Sequence, residues 1–175
     1  NILYKNYDLI EYLSLKQDGC IIEANFKKKR ETSDKNELKG NLYASKDGVL
    51  YSKDLKKLIA FPGNKTGSFM IPNHVEVIGF GAFENSKLTK VDFEEGINLL
   101  TLGYRAFYNS INLQEISIPK SVVSIDYYAF AMCKSLQTVN FDINSKLTGI
   151  YEGAFYGCIN LKNITIPDEI YEISD

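Results

Sequence analysis

From residue 88 onward the chain alternates apolar and polar positions in four short stretches of one form. They read LTKVDF (88–93), LQEISI (113–118), LQTVNF (136–141) and LKNITI (161–166). Each opens on Leu, and its last four residues keep the period of two that marks a half-buried strand. The alternation sends Val91, Phe93, Ile116, Ile118, Val139, Phe141, Ile164 and Ile166 inward, and Asp92, Ser117, Asn140 and Thr165 outward. Between these strands an Ala-Phe dipeptide recurs at 82–83, 106–107, 129–130 and 154–155, at spacings of 24, 23 and 25 residues. A small residue stands three places beyond each Phe: Ser86, Ser110, Cys133 and Cys158.

After the hexapeptide the copies alternate between two forms. Ile-Pro stands at 71–72, 118–119 and 166–167, returning after 47 and then 48 residues. Proline cannot donate to a ladder and marks a strand end. In the copies between, Phe is followed by an acidic residue, at 93–94 and 141–142. Both forms then offer a second short β-prone piece, such as LLTL (99–102) or VVSI (122–125). One copy cannot bury its apolar face, whereas a stack of copies makes a continuous core. The pattern therefore predicts a right-handed repeat solenoid. It has one parallel ladder built from the four hexapeptides, short second strands, and tight helical turns at Ala-Phe. Phe83, Phe107, Phe130 and Phe155 are expected to form an aromatic spine opposite the ladder.

A unit of 23–25 residues whose strand begins at Leu falls in the leucine-rich repeat range. The stretch IPKSVVSIDYYAFAMCKSLQTVNF (118–141) resembles the BspA-like leucine-rich repeat family of bacterial and protozoan cell-surface proteins. The family pattern is Leu-x-x-Ile-x-Ile-Pro-x-x-Val-x-x-Ile-x-x-x-Ala-Phe-x-x-Cys-x-x-Leu. The likeness covers residues 69–175, and IPDEIYEISD (166–175) starts a fifth copy without its Ala-Phe turn. The chain is thus expected to be a piece of a longer one. Its C-terminal edge is expected to self-associate by strand pairing or through Ile170 and Ile173.

Upstream, residues 43–68 read as a β-hairpin insert that caps the first repeat, since an open solenoid end exposes core and strand edges. Val49, Leu50 and Tyr51 form one arm, Leu58, Ile59 and Phe61 the other, and KDLK (53–56) the turn. Residues 1–42 form a separate N-terminal segment. Asp18-Gly19 between two apolar runs signals a hairpin, a helix over 7–16 is the alternative, and 27–41 reads as a charged, solvated loop.

Charge changes this picture little. The net charge of −2 gives no general attraction to nucleic acid or an anionic membrane. Residues 70–175 carry seven Lys/Arg against thirteen Asp/Glu, a net of −6, while residues 1–69 carry thirteen against nine, a net of +4. No run of eighteen apolar residues would insert into a membrane, and no signal-peptide pattern is present in the sequence.

Chemistry is sparse. The single histidine, His74, occupies a slot that holds Ser121 and Glu169 in the other Ile-Pro copies, which reads as a surface position. The three cysteines lack zinc spacing. Cys133 and Cys158 share a slot with Ser86 and Ser110, which predicts small, buried, free thiols, because parallel side chains in a ladder do not readily meet disulfide geometry. Glu94-Glu95 and Asp168-Glu169 are adjacent carboxylates on loops rather than a positioned pair. No catalytic group, cofactor or metal site is expected, and so no enzyme. The sequons at Asn64 and Asn163 carry meaning only in a eukaryotic setting.

The resemblance implies an extracellular or cell-surface, adhesin-like module that binds a protein ligand, such as a host matrix protein or one on a neighbouring cell. The outward ladder positions Lys90, Asp92, Glu115, Ser117, Thr138, Asn140, Asn163 and Thr165 are the candidate contacts. Tyr104 and Tyr127 offer aromatic anchors on the turn side. The alternatives are a structural spacer of a larger surface protein and an intracellular protein-interaction domain.

Overall fold

The alternation read from the sequence becomes two sets of paired strands in the computed structural model, which describes residues 43–168, Ile170 and the backbone of Glu172–Ile173. The hairpin, helix and loop readings for 1–42 lie outside these residues. The described chain opens with β1 (Tyr43–Lys46), β2 (Val49–Ser52) and β3 (Lys57–Ala60), joined as an antiparallel meander. The turn between β1 and β2 is Asp47-Gly48, both with positive φ (53° and 80°), as a tight hairpin turn requires.

From β3 onward every pairing is parallel. β3 continues into β5 (Val77–Ile78), β7 (Thr101–Leu102), β9 (Ser124–Ile125), β11 (Gly149–Ile150) and β13 (Glu172–Ile173). A second sheet of five strands runs in the order β4 (Thr66–Ile71), β6 (Lys87–Phe93), β8 (Glu115–Ile118), β10 (Thr138–Phe141), β12 (Asn163–Ile164). This is the expected parallel ladder, extended by one strand, β4, at its N-terminal side. Each coil passes from the five-stranded ladder, through a loop, to a two-residue strand, and returns through the Ala-Phe turn.

Register places like on like. Val91 pairs with Ile116, Ile116 with Val139, and Val139 with Ile164. In the other sheet Leu58, Ile78, Leu102, Ile125 and Ile150 follow one another in register. The buried residues of both columns belong to one core. Ile166, expected inward, is 36% exposed, because it lies beyond the last paired residue of β12.

The aromatic spine is present and longer than expected. Phe61 stacks on Phe83 (ring centroids 5.0 Å), Phe83 on Phe107 (4.8 Å), Phe107 on Phe130 (5.0 Å) and Phe130 on Phe155 (5.4 Å). The last three pairs lie within 6° of parallel. The repeat supplies one ring per coil, and stacking coils about 4.8 Å apart brings the rings to that offset-stacked separation.

The helical turns do not form, and no helix occurs among the described residues. The residue before each Ala-Phe has positive φ, at Gly81 (52°), Arg105 (54°), Tyr128 (55°) and Gly153 (65°). So does the residue two places after each Phe, at Asn85, Asn109, Met132 and Gly157. A helix needs negative φ throughout. Alternation instead directs successive N–H groups to different partners. Ala106, Tyr108 and Ser110 donate to the carbonyls of Gly103, Arg105 and Phe107, closing consecutive turns. Arg105, Phe107 and Asn109 donate to Tyr127, Ala129 and Ala131 in the next coil. The turn column is therefore a third hydrogen-bonded ladder. It tolerates left-handed Arg105, Tyr128 and Met132, each costing about 1–2 kcal/mol, because each donates across to the following coil.

The small slot has a specific job. Ser110 Oγ, Cys133 Sγ and Cys158 Sγ donate to the carbonyls of Phe83, Phe107 and Phe130, at 2.7, 3.1 and 3.1 Å. Both thiols are free and buried, as expected.

Candidate functional site: the outer face of the ladder

In each ladder strand the residues between the buried ones must point away from the core. Ser68, Lys90, Glu115, Thr138 and Asn163 come into one row, each in register with the next. Asp92 pairs with Met70, and Ser117 with Asn140, in a second row. Thr165 follows β12 and is exposed. The eight ladder residues picked from the sequence thus share one face.

Local contacts on this face are light. Lys90 Nζ lies 3.0 Å from Asp92 Oδ1, and this partner holds the Lys90 pKa above its ordinary value. Both ends are solvated, so the pair contributes little to stability. Asn140 Nδ2 donates to Ser117 Oγ at 3.4 Å. A third row, not anticipated from the sequence, stands at the strand entrances. Gln137 N–H donates to the Gln114 carbonyl, and Gln114 N–H to the Thr89 carbonyl. Thr89, Lys90, Gln114, Glu115, Gln137 and Thr138 line an open groove of about 400 Å³. Its signal was the second position of each hexapeptide, polar in every copy but lying outside the four alternating residues.

The turn side is more closely packed. Tyr104 stacks on Phe80 (5.3 Å) and receives Tyr128 edge-on (6.2 Å), with the Arg105 guanidinium 5.4 Å from its ring. Tyr127 stacks on Tyr151 instead (5.2 Å, 16° between planes) and is 40% exposed. Tyr104 and Tyr127 hold the same repeat position, yet their rings enter different clusters.

His74 is not the surface residue expected. It is half-buried, with Nδ1 3.0 Å from the Leu55 carbonyl and its ring edge-on to Tyr51 at 5.8 Å. Its Nε2 is buried without a hydrogen-bond partner. The cause is the β2–β3 hairpin, whose turn covers the first Ile-Pro copy; the Lys56–Glu76 ion pair (2.8 Å) belongs to the same joint. Burial, helped by Asp47 and Glu94, pushes the Tyr51 hydroxyl up to about 12. Among the described residues no three His, Cys, Asp or Glu side chains gather as a metal group, and no helix is long and apolar enough to cross a membrane.

Comparison with known proteins fits this geometry. The model of the BspA type leucine-rich repeat region matches residues 57–175 as six copies. The chain belongs to the BspA-type leucine-rich repeat family. The match begins on β3, where Ala60-Phe61 is a further Ala-Phe dipeptide and Phe61 heads the ring stack. Among solved structures, a leucine-rich repeat protein from Eubacterium ventriosum is 26% identical, with a TM-score of 0.55 over 75% of this chain and 48% of its own. A leucine rich cell surface protein from Faecalibacterium prausnitzii is 28% identical, with a TM-score of 0.50 over 70% of this chain and 39% of its own. The pneumococcal vaccine antigen PcpA shares the fold at 21% identity, with a TM-score of 0.51 over 64% of this chain and 30% of its own. This chain spans less than half the length of each of these three proteins. No curated protein matches the sequence.

Proposed function

We propose that this BspA-type repeat region is a cell-surface protein-binding module that engages its partner through the outer face of the five-stranded ladder. The observation that carries the reading is the register of that face. Lys90, Glu115, Thr138 and Asn163 stand in one exposed or half-exposed row, backed by a fixed core. The spine rings, in contrast, stack on one another, and on the turn side Tyr104 and Tyr127 each pack against a neighbouring ring. A flat, polar, multi-rung surface suits a protein partner better than a small molecule, which needs an enclosed pocket. The likeness to the Faecalibacterium cell surface protein supports an extracellular setting, and a host matrix or neighbouring-cell protein is the partner class. The test is binding of the chain to a panel of purified matrix proteins, with two faces altered separately. Alanine at Lys90, Glu115, Thr138 and Asn163 together is expected to abolish binding, and alanine at Tyr104 and Tyr127 to leave more of it. Binding that survives the first set and fails with the second would move the site to the turn side.

A second reading, a spacer that holds another domain away from the surface, is favoured by the three hydrogen-bonded ladders and continuous ring stack. If no panel protein binds, this reading replaces the first.

A further inference from the structure

The two coil forms differ in the loop that leaves the ladder. After Phe93 and Phe141 the chain takes two more residues to reach the buried Leu99 and Leu147 than it takes from Ile118 to the buried Val122. Longer loops therefore stand beside the tight Ile-Pro turns. Beside the second long loop the structure holds a cleft of about 400 Å³. Its apolar walls are Phe141, Ile143, Ile166 and Pro167, and Asp142 and Asp168 are on its rim.

Two features set this cleft apart from the equivalent place one pair of coils earlier. Ile143 is 95% exposed, and the fold does not require an apolar residue there, because Glu95 fills the same repeat position. The Ile143 loop is nonetheless held in shape: Asp142 Oδ1 accepts from Asn144 N–H (3.2 Å), and Ser145 N–H donates to the Asp142 carbonyl (3.0 Å). The second feature is charge. The acidic loop at Glu94-Glu95 is followed in the next coil by Lys120, whereas the loop at Asp142 is followed by Asp168 at the position of Lys120. Lys146 of the same loop bonds through its N–H to the Lys120 carbonyl of the preceding coil, but neither lysine lines the cleft, whose charged residues are Asp142 and Asp168. Two carboxylates in the lining, with no lysine or arginine among the lining residues, beside an exposed apolar wall favour a cationic group on whatever fills the cleft.

We infer that this cleft is a subsite for an aliphatic or aromatic side chain adjoining a lysine or arginine on the bound protein. The inference rests on the ladder-binding reading and places one specificity element at its C-terminal end, next to the exposed Asn163 and Thr165. An apolar partner side chain covers Ile143 and Ile166, and its basic neighbour answers Asp142 and Asp168.

The test uses the full chain and three capped heptapeptides, followed by methyl NMR at millimolar concentration. One peptide carries two Leu-Lys pairs, one carries Leu-Glu pairs and one carries Ser-Lys pairs. The Leu-Lys peptide is expected to shift the Ile143 and Ile166 methyl signals, with the other two at least several-fold weaker. Ile143→Ser should weaken it about tenfold, the worth of one partly buried aliphatic side chain. The melting temperature should stay unchanged, since Ile143 is 95% exposed. Asp168→Asn should weaken the Leu-Lys peptide and leave the Ser-Lys peptide nearly non-binding. Equal shifts from the Leu-Glu peptide, or a Leu-Lys response that survives Ile143→Ser, would overturn the subsite. A matrix protein that loses binding with the Lys90, Glu115, Thr138 and Asn163 set but keeps it with Ile143→Ser would remove the subsite and leave the ladder reading standing. Binding by the Leu-Lys peptide while no matrix protein binds would keep the subsite chemistry and remove the broader reading.

Discussion

Lys90 and Val91 are neighbours in β6 and live in different worlds. Val91 is 3% exposed and locked in register with Ile116, while Lys90 is solvated and pairs with Asp92. The same split holds in β8 between Ile116 and Glu115, and in β10 between Val139 and Asn140. Inside, side chains of one coil are cut to fit those of the next, so each position is fixed by two neighbours. Outside, the backbone fixes where a side chain stands but little fixes what it is. On the proposed reading, stability and recognition lie on opposite faces of the same strands, and substitutions on one face should leave the other property almost untouched.

The largest effect should come from the spine. Phe107 is ringed by Phe83 and Phe130 and is 1% exposed. Phe107→Ala should cost roughly 3–5 kcal/mol, read as a fall in the urea midpoint. Phe155→Ala should cost less, since Phe155 stacks on one ring only and is half-buried.

Next comes the small slot. Cys133→Ser keeps a donor to the Phe107 carbonyl, as Ser110 does for Phe83, and should stay within about 1 kcal/mol of the parent. Cys133→Val removes the thiol's bond, leaving the Phe107 carbonyl with the Ser110 N–H alone, and forces a branched side chain into a fully buried small slot, which should cost about 1–3 kcal/mol. Burial also pushes the thiol of Cys158 up to about 11 and that of Cys133 further. Iodoacetamide at pH 8 should therefore label neither until the chain unfolds.

The hairpin joint gives a pH handle. Tyr51 ionises near 12 when folded and near 10 when unfolded. Below pH 10 both states keep the proton and stability is unaffected. Between pH 10 and 12 the unfolded state loses it first, so stability falls with rising pH, by up to about 2 kcal/mol. Tyr51→Phe should flatten that part of a stability–pH curve measured by urea unfolding.

The smallest effect belongs to the outer rows. Glu115→Gln, or Lys90→Ala with loss of the Asp92 pair, should change the urea midpoint by no more than about 0.5 kcal/mol of stability.

The difference between the faces also explains what the sequence could disclose. The ladder was legible because Leu-x-x-Val/Ile keeps both the period and the register, and the Phe column because one ring per coil stacks only one way. The turn conformation was not. Gly81, Gly153 and Gly157 hint at left-handed backbone, but Arg105, Tyr128 and Met132 hold the same positions without any such mark. Neighbouring coils, not local preference, impose that geometry. The first coil was partly hidden because β4 begins Thr-Gly-Ser where its fellows have Leu, although Ala60-Phe61 carried the signal. The outer face was legible in position and silent in purpose. Alternation says which side chains leave the core, and nothing in their spacing names what they meet.

The most direct test of the account is hydroxyl-radical footprinting of the chain bound to a matrix protein that it captures. Met70, at 51% exposure, is a reactive reporter in the ladder face, while Leu100 (38%) and Tyr156 (62%) report on other sides. Ladder-face binding predicts strong protection of Met70, Lys90 and Glu115, with Leu100 and Tyr156 reacting as in the free chain. Protection of Leu100 and Tyr127 with Met70 unchanged would contradict it.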